Sequence, residues 1–154
     1  MQRDDDIWDA FAQAVVTIEM PEGPRRLEPR PVGEVGVFPF ATPVHIITAH
    51  NPAGEPDDPV ANERRHRELT EHLVGHRMMA TVGSAVDGTM AEPGLGVIGL
   101  DDRVAIELGR RFGQLAIYRW TAEALEIVGI DEARRIESGW ALVDARARAS
   151  RTDA

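Results

Sequence analysis

Two apolar, β-rich runs, Met78–Val86 and Thr89–Ile98, stand on either side of Asp87-Gly88. Asp-Gly between such runs is a strong hairpin signal, because both residues tolerate the positive φ that a tight turn demands. A hairpin commits its strands to antiparallel pairing. Gln114–Trp120 and Leu125–Ile130 repeat the pattern near the end of the chain. Val35–Phe40 and Val44–Ala49 read as a further strand pair, with Pro39 and Pro43 marking an edge or a turn.

Helical spacing separates these runs. Residues 4–19 set Ile7, Trp8, Phe11, Val15 and Ile18 on one stripe, with Asp4–Asp6 at the helix start and Pro21 beyond its end. Residues 20–34 hold four prolines and read as an extended connector, which makes the first helix a docked arm. A second helix spans about residues 60–74. A third, capped by Asp101 or Asp102, carries Val104, Ala105, Leu108 and Phe112 on one face, with Gly113 at its C′ position. From Asp131 onward Ala133, Ile136, Trp140 and Val143 are again helically spaced, although Gly139 weakens that pattern. The expected architecture is one α+β domain, a mostly antiparallel sheet built from hairpins with helices packed on it. Its expected divisions are an N-terminal helix and connector (1–34), a core (35–145) and a frayed tail (146–154).

Composition prunes the chemistry. All 17 basic residues are arginine, and the chain has neither lysine nor cysteine. Schiff-base enzymes, P-loop nucleotide enzymes and kinases need a lysine, while thiol nucleophiles, redox dithiols and cysteine-ligated zinc need a cysteine. A net charge of −9 opposes general binding to nucleic acid and to anionic membranes. With no signal-like start and no apolar run of membrane-spanning length, the expected location is the cytoplasm.

Several tempting motifs have ordinary readings. Gly94-Leu95-Gly96-Val97-Ile98-Gly99 spells G-x-G-x-x-G, but Ala91-Glu92-Pro93 precedes it where a dinucleotide fold needs a central strand. The glycines are better read as thinning a strand. His72 and His76 are four apart, but Gly75 between them removes the shared helical face. His45 reads as a hydrogen-bonded core histidine. Ser84, Ser138 and Ser150 lie in no nucleophile elbow. No metal site is assigned and the cofactor is left open; a His50, His66 and carboxylate set is the metal-assisted alternative.

The helix of residues 60–74 says more. Asn62, Arg65, His66, Leu69 and Leu73 share one stripe, so its apolar face changes to polar at the rim of the core. Buried polar groups there need partners, supplied by the 48–53 loop or by a ligand. Glu92 and Gln114 sit in similarly apolar surroundings. A carboxylate so placed is a candidate general acid or base, and His50, ending a strand beside a polar loop, is a candidate proton carrier.

Four segments carry a resemblance. Thr48-Ala49-His50-Asn51-Pro52 is followed by Asn62, Arg65 and Leu69, then Glu92-Pro93-Gly94, then Arg110-Arg111-Phe112-Gly113-Gln114 with Ala116 and Ile117. In this order they resemble a family of small bacterial domains of unknown function, over His45–Trp120. The resemblance transfers no activity. It implies that Asn51, Asn62, Arg65, Glu92 and Gln114 converge on one polar pocket. The leading expectation is a domain binding a small molecule or nucleotide-like ligand: Arg65 contacting an anion, Asn51, Asn62 and Gln114 orienting it, Glu92 and His50 serving any chemistry. The alternative is a protein-interaction or regulatory module, or a homo-oligomer, whose polar cluster is structural and whose first helix docks a basic partner.

Overall fold

The first helix stops earlier than its apolar stripe suggests. A computed structural model, which describes residues 2–145 and the side chains of residues 5–145, forms α1 over Gln2–Gln13. Val15–Met20 is strand β1, not the end of that helix. Four consecutive β-branched residues, Val15 to Ile18, favour the pleated backbone, and their match to the helical stripe is coincidental. The expected connector is also corrected, because Gly23–Arg30 forms strand β2 and pairs with β1 across a tight turn. Its Pro29 lies opposite Trp140, whose own N–H turns to Glu34 O at 2.8 Å.

The next elements are β3 (Val44–Ile47), a 3-10 turn (Pro52–Gly54), α2 (Pro59–His72), β4 (Arg77–Ser84) and β5 (Glu92–Ile98). They are followed by α3 (Asp102–Arg111), β6 (Ala116–Trp120) and β7 (Leu125–Gly129). The hairpin around Asp87-Gly88 forms as expected, though with a wider loop. Asp58 caps α2 by accepting from Ala61 N, and Asp101 caps α3 by accepting from Arg103 N. Residues 35–40 are not a strand. Phe38 and Phe40 instead pack edge-on against Trp120, with ring centres at 5.1 and 5.9 Å.

The expected C-terminal helix is overturned. Arg135–Asp144 is β8, paired on one side with β7 and on the other with β2. Its long-range partner, more than one hundred positions away, decides the conformation. The tail at 146–154 lies outside the described residues.

Among the described residues, eight strands close into a barrel in the order β1-β2-β8-β7-β6-β3-β5-β4, every neighbour antiparallel and β4 returning to β1. This is one α+β domain whose sheet closes on itself. Two apolar cores result. One fills the gap between the outer wall and the helices, using Ile47, Val97 and Ile117 against Leu69, Leu108 and Phe112. The other plugs one end of the barrel, where Trp120 and Trp140 meet edge-on at 5.3 Å among Leu27, Val44 and Met79. No helix among the described residues is long and apolar enough to cross a membrane.

Candidate functional site

Inward-facing side chains shrink from the plugged end of the barrel towards the other. Along β6 they run Trp120, Tyr118, Ala116; along β4, Met79, Thr81, Gly83; along β5, Ile98, Gly96, Gly94. The alternation explains the literal G-x-G-x-x-G: residues 94–98 of it belong to strand β5, and its first two glycines face inward where neighbouring atoms crowd the wall. A Cβ on Gly94 would stand 2.8 Å from Ile47 O, so the wall itself closes in at that position. The result is a cavity of about 580 Å³ in the open half of the barrel. An eight-stranded barrel has room for its own side chains or for one small ligand.

Helix α1 lies over the mouth. Its Ala10 and Phe11, with Ala14 after it, line the cavity. The Tyr118 hydroxyl donates to Phe11 O at 3.1 Å. Trp8 is buried, the Arg134 guanidinium sits 4.9 Å from its ring centre, and Arg134 also pairs with Asp5 at 3.2 Å.

One side of the cavity is polar, built by the loop after β3, the start of β5 and the α3–β6 connection. Asn51 follows β3 in the left-handed region, with φ 49°, which asparagine tolerates better than most residues. Its N–H donates to Asn62 Oδ1 at 2.9 Å, and Asn62 Nδ2 donates back to Asn51 Oδ1 at 2.9 Å. Asp57 N also donates to Asn51 Oδ1, at 3.0 Å. With its oxygen so engaged, the Asn51 amide nitrogen is the group left to hydrogen-bond Glu92, which it does. Arg65 braces the same loop, donating from Nε to Ala49 O at 3.0 Å and from its terminal nitrogen to Asp57 (2.8 Å) and Asn62.

The other segments lock on from the remaining sides. Thr48 Oγ1 donates to Pro93 O at 2.8 Å, tying the end of β3 to the start of β5. Ala53 N donates to Gly113 O at 2.8 Å, and Gln114 Nε2 donates to His50 O at 3.0 Å. Gly113 has φ +69°, and a Cβ there would stand 2.9 Å from the Pro52 ring.

The five polar positions therefore do come together, but not in one role. Asn51, Glu92 and Gln114 line the cavity; Asn62 and Arg65 stand behind the loop and are absent from the lining. The His50 ring is also outside it, packed edge-on to His66 at 5.9 Å, and its Nε2 has no hydrogen-bond partner among the described residues. Burial, with the neighbouring His66, lowers the pKa of His50. Among the described residues no three His, Asp or Glu side chains are grouped to hold a metal ion.

Sequence reasoning missed Tyr118, Thr81, Phe11 and Gly83, all of which line the cavity. The signal for Tyr118 was available: it alternates with Ala116 and Trp120 and so shares their face. The others depend on barrel closure, which no local pattern announces.

Electrostatics single out Glu92. Burial in the apolar wall raises its pKa, only partly offset by the Asn51 hydrogen bond. Burial, and then the charge of Glu92, pushes the Tyr118 phenol well above its ordinary value. A separate charged chain runs outside the barrel under α3. Buried His45 meets Asp102 at 2.7 Å, Asp102 accepts from Arg119 at 3.0 Å, and Arg119 donates to Glu126 at 2.9 Å. This is the hydrogen-bonded core histidine that the sequence suggests.

Residues 47–117, from β3 into β6, match the model of a family described as a protein of unknown function (DUF3293). No curated protein and no solved structure matches the chain.

Proposed function

We propose that the chain is a small-molecule-binding barrel whose ligand occupies the cavity between α1 and the tryptophan plug. The observation that carries this reading is the cavity itself. At about 580 Å³ it lies within the size range of small-molecule sites, and it is walled mainly by apolar groups with a few convergent polar ones. A barrel stabilised only for its own sake fills such a space with side chains, since empty apolar volume is destabilising. Here β4 supplies Gly83, whose absent Cβ would meet nothing within 4 Å.

Within this reading the polar residues divide into two kinds. Glu92 meets the ligand, and any proton transfer falls to it, because its raised pKa brings it nearer the range useful for general acid–base work. Asn51 orients Glu92, while Asn62, Arg65 and Gln114 position the loops from behind or from the side. Arg65 is a positioning residue rather than an anion contact, since it is absent from the cavity lining and its Nε and one terminal nitrogen brace the loop through Ala49, Asp57 and Asn62.

A titration with N-phenyl-1-naphthylamine, a neutral apolar fluorophore, tests the reading. Saturable enhancement with one site per chain supports it. Fluorescence that rises without saturation, as from surface adsorption, counts against it.

A further inference from the structure

Resting on the cavity reading above, we infer that the natural occupant is an amphipathic amine, a cationic nitrogen carried on an apolar body. The charge inventory of the wall comes first. Among the described residues the lining contains two carboxyl groups, Glu92 and Asp87, and no arginine or histidine. In a chain without lysine, that leaves the cavity with no cationic side chain of any kind. Arg65 stands behind the Asn51 loop, outside the lining, with Nε on Ala49 O and a terminal nitrogen on Asp57.

Hydrogen-bonding capacity points the same way. The Glu92 carboxyl has one neutral partner, the Asn51 amide. The Tyr118 hydroxyl gives its proton to Phe11 O, so what it offers the cavity is an acceptor oxygen. Glu92 and Tyr118 together make an end rich in acceptors and poor in donors. An ammonium brings three donors and the missing charge. An anionic head group instead meets Glu92 with nothing to neutralise either charge. A half-buried carboxylate without a counter-charge is costly, and a ligand cation is the group that relieves it.

The body of the ligand is set by the rest of the wall. Val16, Ile46 and Ile127 supply apolar surface beside Gly83, and the other hydrogen-bonding side chains of the wall, Thr81 and Ser84 among them, carry no charge. The expected body is therefore an alkyl or alicyclic group.

Three molecules with one body and different heads separate the claims: n-decylamine, n-decanol and n-decanoate, each displacing N-phenyl-1-naphthylamine from the full chain near neutral pH. The amine is expected to displace the fluorophore at a concentration about tenfold below that of the alcohol, with decanoate weakest. Glu92→Gln is expected to bring the amine to the level of the alcohol measured on the same variant. Asp87→Asn, at the rim, is expected to keep most of the amine preference. Equal displacement by amine and alcohol on the wild-type chain, or a preference that survives Glu92→Gln, or one lost only in Asp87→Asn, overturns the inference while the cavity reading stands. Failure of the fluorophore and decanol alike to bind overturns both.

Discussion

Asn62 donates its side-chain amide to Asn51 Oδ1 at 2.9 Å and accepts the Asn51 N–H at the same distance. This reciprocal pair fixes which end of the Asn51 amide faces Glu92. A residue on α2 that never reaches the cavity thereby sets the hydrogen bonding inside it.

Removing that pair is expected to be costly. Asn62→Leu leaves the part-buried Asn51 N–H and one Arg65 donor without their Asn62 partner, and each such group costs about 1–3 kcal/mol. We expect urea unfolding to show a loss of roughly 2–4 kcal/mol. A loss below about 0.5 kcal/mol, the range of an ordinary surface change, contradicts the assigned role.

Glu92 gives a pH signature. Its folded pKa is raised by burial, so the folded chain binds more protons than the unfolded one between the two values. Its contribution is fully present below the ordinary glutamate pKa and is lost as pH rises through the folded value. Tyr118 and Asp87 share the cavity wall with it, and Asn51 is its hydrogen-bond partner. Glu92→Gln should therefore be more stable than wild type at neutral pH, with the difference vanishing in acid. A difference that does not change with pH removes the buried-carboxyl account.

His45 has the opposite sign. Burial lowers its folded pKa despite the Asp102 hydrogen bond, with Arg119 and Asp101 also acting on it. Its contribution is present above the ordinary histidine pKa and is lost as pH falls through the folded value. Unfolding at a series of pH values should show His45→Gln flattening the acid limb of the wild-type curve. An unaltered limb would place the acid sensitivity elsewhere.

Two glycines should respond in opposite ways to alanine. A Cβ at Gly139 would stand 2.1 Å from Glu34 O and 2.3 Å from Pro31 O, both backbone atoms with little freedom to move. Gly139→Ala is expected to cost about 3 kcal/mol or to block folding. A Cβ at Gly83 meets nothing within 4 Å, so Gly83→Ala should be neutral or stabilising by about 0.4–1 kcal/mol. Thermal melts of the two variants decide the comparison.

These particulars show what the sequence could carry. Hairpins around residues 87–88 and 121–124, and the cap at Asp101, rest on neighbours within a few positions, so local chemistry announces them. Strands β1, β2 and β8 do not. The residues Val15–Met20 continue a helical stripe by coincidence, Gly23–Arg30 has no apolar alternation, and Arg135–Asp144 becomes extended by pairing with β2. The barrel is closed by those three strands, so the cavity was invisible even though several of its polar residues were legible. Arg65 illustrates the limit: its stripe marks it as needing partners, but only the folded loop shows that Ala49, Asp57 and Asn62 supply them.

Gly83→Phe tests the central claim most directly, because it adds a ring to the cavity wall from a position where a Cβ meets nothing within 4 Å. The measurement is the affinity for N-phenyl-1-naphthylamine alongside the melting temperature. Unchanged or raised stability with at least a tenfold loss of binding is the result expected of a ligand cavity. Unchanged stability with undiminished binding would place the fluorophore elsewhere and contradict the account.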